Sequence, residues 1–270
     1  MVRRILIGIA LLFMTLMVVV PLSLVFIEAF SGGWATYFGA LLNPETLSAL
    51  RLSLVAVVCA VTLNTLFGMA AAWYITRYPI RVKNLLTSLI ELPISISPVI
   101  SGMLFVLLFG TRSDLGGWLV DHGIRIIFAP SGIVLAPTFV TLPFVARELI
   151  SLMQAQGTEE EEAAYLLGAS GFQIFRKVTL PNILPALFYG GVLTAARALG
   201  EFGAVSVVSG HIRGLTNTLP LQIEELYNDY QFAQAFAVAS ILMGISVLSL
   251  ALRYFLEKRY HLSSRKEFGE

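Results

Sequence analysis

The chain has 270 residues, of which 57% are hydrophobic and only 13% charged, and its mean hydropathy is +0.80. Soluble domains carry about 25% charged residues, so a water-soluble protein is excluded and the chain reads as an all-α integral membrane protein. A net charge of +1 leaves no electrostatic case for nucleic-acid binding, and the one cysteine, Cys59, cannot form an internal disulfide.

About 20 apolar residues cross a bilayer as a helix, and six such runs follow one another. The first covers residues 5–28, with Arg3 and Arg4 in front of it. A cleaved signal has a shorter apolar core of about 7 to 15 residues, so this span is read as retained despite the cleavage-like Ala29-Phe30-Ser31. Residues 31–50, richer in Gly, Asn and Pro, are expected to form a loop. The second span, 52–76, lies between Arg51 and Arg77, holds Cys59 as a small packing residue and leads into a basic turn of Arg77, Arg81 and Lys83. The third, 84–110, contains Glu91-Leu92-Pro93 and Ser95-Ile96-Ser97-Pro98. Proline frees backbone groups that need other partners in a membrane, so its first half is expected to be interrupted.

Residues 111–125 read as a polar loop, 126–147 as a fourth span with Pro130, Pro137 and Pro143, and 151–181 as a polar segment. A fifth span at 182–208, a second polar loop at 210–229 and a sixth span at 230–253 follow, then a basic tail expected to be partly disordered at its end. With no internal repeat and no linker, residues 1–270 form one transmembrane domain. If both termini are cytoplasmic, thirteen of the 18 lysines and arginines lie on that side, and only Arg51, Arg112, Arg125 and Arg213 on the other. That asymmetry sets the expected orientation, and it puts residues 151–181 inside.

The inner segment reads GTEEEEAAYLLGASGFQIFRKVTLP from Gly157 to Pro181. Four successive glutamates, Glu159 to Glu162, are too costly for a bilayer core. Thr158 is expected to cap a helix with Glu161 completing a capping box, which places the carboxylates on the positive end of the helix dipole. Gly168 and Gly171 bracket a break before a short second helix at 172–177. Small and apolar residues on a water-facing helix suggest a surface made to be covered.

Glu162-Ala163-Ala164, Gly168, Val178 and Leu180-Pro181 resemble the EAA loop of ABC importer permeases, EAA-x3-G-x9-I-x-LP, with Val in place of Ile. The resemblance implies the ABC type I importer permease fold and a coupling helix seated in a groove of a cytoplasmic ATPase. It nominates Glu161, Glu162, Ala163, Ala164, Leu167, Gly168, Ala169, Leu180 and Pro181 as the ATPase-coupling residues.

In the fifth span Ala186, Gly190, Thr194 and Ala198 recur every four residues, a spacing that lets helices approach closely. Two readings stand side by side: packing alone, or a face at the subunit interface around the pathway. Arg197 and Glu201 share a helix face, and charges at this depth either pair structurally or face a cavity. The stretch Arg197-Ala-Leu-Gly-Glu201-Phe-Gly203 is similar to sulfate and molybdate importer permeases. Ala198 to Tyr230, Pro143 to Ile150 and Ser97-Pro98-Val99 resemble the sulfate/thiosulfate permeases of the CysW type.

That family implies a bacterial inner-membrane subunit of an ATP-driven sulfate/thiosulfate importer. Its implied partners are a CysT-like second permease (a homodimer remaining open), two CysA-like ATP-binding subunits and an extracytoplasmic sulfate-binding protein. The chain has no G-x-x-x-x-G-K-[ST] phosphate loop, so ATP and Mg are expected in a partner, with no cofactor and no enzymatic activity in this chain. His122, His211 and His261 are isolated, and no metal site is expected. Arg197, Glu201, Phe202, Ser95, Ser97 and Pro98 are candidates for the translocation path. Asp114, Asp121, His211 and Arg213, in the outer loops, are candidates for binding-protein docking, with Asn217 and Thr218 as further donors to an exiting dianion. Rival readings are a molybdate or tungstate permease, a stand-alone secondary anion transporter, and a membrane scaffold that conducts nothing.

Overall fold

The computed structural model describes the backbone of residues 2–79 and 81–267, and the side chains of 5–79, 81–252, 254 and 255. Regular structure among these residues is entirely helical. The chain runs through α1 (Ile5–Ala29), α2 (Gly33–Leu42), α3 (Pro44–Arg77), α4 (Lys83–Ser95) and α5 (Pro98–Phe109). Then come α6 (Asp114–Asp121), α7 (Pro130–Gln156), α8 (Glu159–Leu166), α9 (Gly171–Leu199), α10 (Gly203–Ser209), α11 (Leu219–Asn228) and α12 (Phe232–Glu267). Five of them, α1, α3, α7, α9 and α12, are long and apolar enough to cross a membrane, and the bent pair α4/α5 makes a sixth crossing if counted as one.

The hub is α7. In its most apolar window 61% of residues are buried, against 22% in α3 and none in α1. Helix α3 packs along α7, and α9 lies against both. Small residues set these distances. A Cβ on Gly68 of α3 would stand 2.9 Å from the Ala146 nitrogen, and one on Gly190 of α9 would stand 2.9 Å from the Val145 Cα. Ala72, Ile75, Val145, Leu149, Met153 and Ile183 fill one end of this three-helix stack, and Ala56, Ile133, Ala136, Val205 and Leu221 the other. Ala186, Gly190, Thr194 and Ala198 are all buried within the chain, so the small-residue stripe packs α9 into its own bundle rather than presenting a face to another subunit.

Several expected loops are helical. Residues 31–50 contain α2 and the start of α3, because Gly, Asn and Pro there mark helix ends. Gly33 takes φ +80° before α2, and the Asn43 side chain accepts a 2.8 Å bond from the Glu45 N–H with Pro44 in the first turn of α3. Phe30 stacks on Tyr37 at 4.4 Å and Ala29 is fully buried, so two of the three residues of the cleavage-like site are packed against the fold, with Ser31 exposed. Residues 111–125 hold α6, capped by Ser113 through the Gly116 N–H, and 210–229 hold α11. The tail is helical to Glu267, and residues 268–270 lie outside the described residues.

Two spans are broken. Pro98 keeps Ser97 extended (ψ 134°), and the chain turns by 105° between α4 and α5. The fifth span, expected to be continuous over 182–208, stops at Leu199 and resumes at Gly203 as the short helix α10. The cause is local: Gly200 ends α9, and the Glu201 side chain turns back to accept a 3.0 Å bond from the Ala204 N–H, one of the unpaired donors that open α10. The expected helix at 172–177 is not separate either, because it continues through a wider π turn at Phe175–Thr179 into α9.

Candidate coupling and translocation sites

Helix α8 stands off the end of the stack where α3 and α7 terminate. The expected capping box at its start does not form: the Thr158 hydroxyl donates to the Glu162 carboxylate at 2.6 Å instead of capping a backbone N–H. The box sits one helix later, where Ser170 and Gln173 cap each other reciprocally. At its far end Gly168 N–H meets the Tyr165 carbonyl at 2.9 Å and Ala169 N–H the Ala164 carbonyl at 3.1 Å, the paired bonds of a Schellman turn. That turn needs a left-handed residue, and Gly168 supplies it at φ +84°. The turn leaves Leu166 85% and Leu167 89% exposed, with Tyr165 and Phe172 exposed beside them. Glu162 and Ala163 are exposed, whereas Ala164 and Ala169 are half-buried. Leu180 and Pro181 lie in α9, away from that tip.

One carboxylate roots this helix. Glu161 Oε2 lies 2.7 Å from Arg77 Nε, and its Oε1 accepts from Arg77 Nη2 at 3.0 Å and from the Thr179 hydroxyl at 2.7 Å. Arg77 Nη1 also reaches the Met153 carbonyl at 3.4 Å. Both charged side chains are largely shielded, 11% and 16% exposed. A partly desolvated ion pair with one charge-assisted hydrogen bond, from Arg77 Nη2, is stronger than a neutral contact, and removing one partner of a buried pair costs about 3–5 kcal/mol. Beside it the Asn182 amide donates to Glu160, and Gln156 Nε2 to the Asn182 carbonyl at 3.3 Å. These residues line one small cleft.

Deeper in the bundle the two broken spans meet at their breaks. A Cβ on Gly203 would lie 3.0 Å from Pro98 Cβ, and one on Gly102 would lie 2.8 Å from the Ala204 carbonyl. Pro98 and Val99, at the start of α5, are thereby brought against Gly203, whereas Ser97 and Phe202, the residues before them, are exposed. Ser95 closes α4 on the other side of the bend. Arg197 Nη1 lies 2.6 Å from Glu201 Oε2. The pair is lopsided: the Glu201 side chain is wholly buried and the Arg197 side chain 39% exposed. Phe202 is exposed beside it.

At the opposite end from α8, Arg213 is held by Glu225 and, at 2.7 Å, by Asp229, and these carboxylates raise its pKa above the ordinary arginine value. Asn217 donates to Glu225 and is buried, as is Thr218. Neither of these two residues is open to an exiting anion, because the loop folds their side chains inward. Asp114, Asp121 and His211 are exposed. Arg112 and Val120, around α6, share a cavity of about 810 Å³ with Ile212, so the two expected docking segments border one opening. His122 is exposed, with Nδ1 2.7 Å from the Trp118 carbonyl, and His261 lies outside the described side chains.

Residues 64–262 match the family described as "Binding-protein-dependent transport system inner membrane component". The chain belongs to that family of ABC importer permeases. The permease is 47% identical over 254 residues to the sulfate transport system permease protein CysW of Escherichia coli strain K12, covering 94% of this chain and 87% of that one. It is 50% identical over 260 residues to CysW of Synechococcus elongatus (96% and 91% covered). To the sulfate transport system permease protein CysT of Salmonella typhimurium it is 34% identical over 253 residues (94% and 91% covered). In fold it is similar to a bacterial alginate ABC transporter solved with an alginate pentasaccharide-bound periplasmic protein. That match has a TM-score of 0.75 at 16% identity and covers 98% and 94% of the two chains. It is therefore a multi-pass inner-membrane permease.

Sequence reasoning missed most of the partners around α8. Arg77 read as the end of a span and part of a basic turn, Glu160 as one of four carboxylates on a helix dipole and Asn182 as the start of the fifth span, while Thr179 was not singled out. The available signal was the position of Arg77, a cation at the end of a membrane helix whose nearest large reserve of opposite charge is the run Glu159 to Glu162. Asn64, fully buried in an otherwise uncharged run, was also overlooked. Its amide donates to Thr141 Oγ1 at 2.8 Å and to the Thr138 carbonyl at 3.1 Å, tying α3 to α7.

Proposed function

We propose that this permease imports sulfate and thiosulfate, driven by ATP hydrolysed in partner subunits, and that α8 is the element through which those subunits act. The observation that carries the coupling reading is the tip of α8. Tyr165, Leu166 and Leu167 stand exposed at the end of a short polar-rooted helix, with Phe172 of α9 exposed beside them, an apolar patch with no use in water unless something covers it. In this reading α8 faces the cytoplasm, where most lysines and arginines fall, and both termini lie on that side. Glu162, Ala163, Ala164, Leu167, Gly168 and Ala169 engage a CysA-like ATP-binding subunit that holds ATP and Mg, Glu161 couples by rooting the helix on Arg77 and Thr179, and Leu180 and Pro181 carry the motion into α9.

The substrate assignment is supported by relatives named as sulfate permeases at 46–50% identity and by the chemistry at Arg197. A half-exposed guanidinium beside a buried carboxylate keeps its charge while offering free donors to a tetrahedral dianion. Glu201 fixes its rotamer and limits trapping of the anion. A CysT-like second permease faces this chain across the path, and an extracytoplasmic sulfate-binding protein docks on the opposite end near Asp114, Asp121, His211 and Arg213. ATP draws the ATPase pair together and opens the permease pair outward; sulfate is released into the cavity, and hydrolysis resets it.

The test is uptake in cells lacking this subunit, with and without the cloned chain. Sulfate uptake should be lost and then restored, with thiosulfate competing. Loss of molybdate uptake with sulfate uptake intact would overturn the substrate assignment. Sulfate uptake by this chain alone in ATP-depleted cells would overturn the ATP-driven reading.

A further inference from the structure

We propose that Arg77, Glu161 and Thr179 form the rigid joint that makes α8 move as one body with the central stack; this rests on α8 being the ATPase-coupling element. The covalent connections of α8 are soft. Gly157, at φ +72°, precedes it and Gly168, at φ +84°, follows it, and a Cβ on either glycine would meet nothing within 4 Å. A push on the tip transmitted through these two points alone would swivel the helix and be lost. What opposes that swivel is the Glu161 carboxylate, which takes a two-pronged contact from Arg77 on α3 and a hydroxyl from Thr179, in the π turn of α9. The same guanidinium reaches the Met153 carbonyl of α7. Each of the three stacked helices thus contributes one group to a single charge pair. Thr179 is 2% exposed, so its hydroxyl is shielded from competing water. Farther along, α3 touches α7 at Gly68 and α9 touches α7 at Gly190 with no slack for independent sliding. Force received at the tip therefore reaches all three membrane helices at one point.

The assembled complex, with its second permease, ATPase subunits and binding protein, reconstituted in vesicles, gives the test: sulfate taken up per ATP hydrolysed. Glu161→Gln keeps side-chain length, Arg77→Gln shortens it by two atoms, and each removes one charge. Each single variant should assemble, keep hydrolysing ATP and lower uptake per ATP about tenfold. The double variant should be no worse than either single one, because residues that act as a unit are non-additive. Thr179→Val should lower the ratio less. A ratio within about twofold of the parent in both single variants overturns the joint, as does a roughly hundredfold drop in the double. Loss of assembly in both glutamine variants also overturns it, because the pair would then be a folding element only. Leu167→Asp tests the underlying reading separately. If it leaves ATPase association and uptake intact, α8 is not the coupling element; if it abolishes them while the glutamine variants couple normally, only the joint is wrong.

Discussion

Two arginine–glutamate pairs of nearly equal length, 2.7 and 2.6 Å, do opposite things in this molecule. Arg77 and Glu161 are 84 residues apart, shield each other almost completely and leave little of either charge for a ligand. Arg197, in the last turn of α9, and Glu201, in the break that follows, are four residues apart, and only the carboxylate is hidden. The first arrangement spends both charges on geometry. The second buries the anion and leaves the cation in reach of another anion. Exposure, more than distance, separates a strut from a binding group: a pair closed on both sides transmits position, and a pair open on the cationic side offers field.

The sharpest way to break this contrast is Arg197→Gln. If its guanidinium meets the dianion directly, losing a charged hydrogen bond of roughly 3 kcal/mol should lower uptake about 100-fold. Assembly, read by size-exclusion of the complex, should stay intact because Glu201 still caps α10. An unassembled Arg197→Gln complex would make both pairs structural and erase the distinction. Next in size is Gly168→Val. The left-handed conformation is costly for a branched residue, about 1–2 kcal/mol. The tip should reorient and uptake per ATP should fall about tenfold, with hydrolysis continuing. Normal uptake in that variant would mean that the tip's shape is irrelevant to coupling.

How far the sequence anticipates these sites follows from what kind of force places each residue. The spans, the broken third span and the polar helix that ends at Gly168 are legible because hydropathy, proline and glycine act locally. The α8 Schellman turn is visible in the glycine of the EAA pattern itself. The break at residues 200–202 is not, because an arginine and a glutamate four apart also suit an unbroken helix; Gly200 ends that helix and the capture of the Ala204 N–H by Glu201 starts the next. Loops richer in Gly, Asn and Pro are misread for the same reason, since these residues cap helices as readily as they replace them. The Arg77–Glu161 contact joins segments distant in sequence and depends on how α3 ends beside α9, which no window of sequence contains.

Smaller effects test what the joint pulls on. Gly190→Leu forces a side chain into the 2.9 Å gap against Val145, and overpacking of this kind costs about 1–3 kcal/mol, so the Tm of the purified complex should fall clearly. Asn64→Leu should do much less. Its amide bonds to Thr141 and the Thr138 carbonyl are lost, but such polar contacts between membrane helices average only about 0.6 kcal/mol. The Thr141 hydroxyl keeps its 2.6 Å bond to the Pro137 carbonyl, and the Asn64 Oδ1, buried without a partner, is removed along with its desolvation cost. The expected stability change for Asn64→Leu is therefore within about 1 kcal/mol of zero, which leaves the Tm close to that of the parent, with uptake unaltered. Should Asn64→Leu instead destabilise the complex more than Gly190→Leu, the stack would be pinned by its hydrogen bonds. Its small residues would then only permit contact, and force entering at Arg77 would spread through the α3–α7 polar link rather than through close-packed glycines.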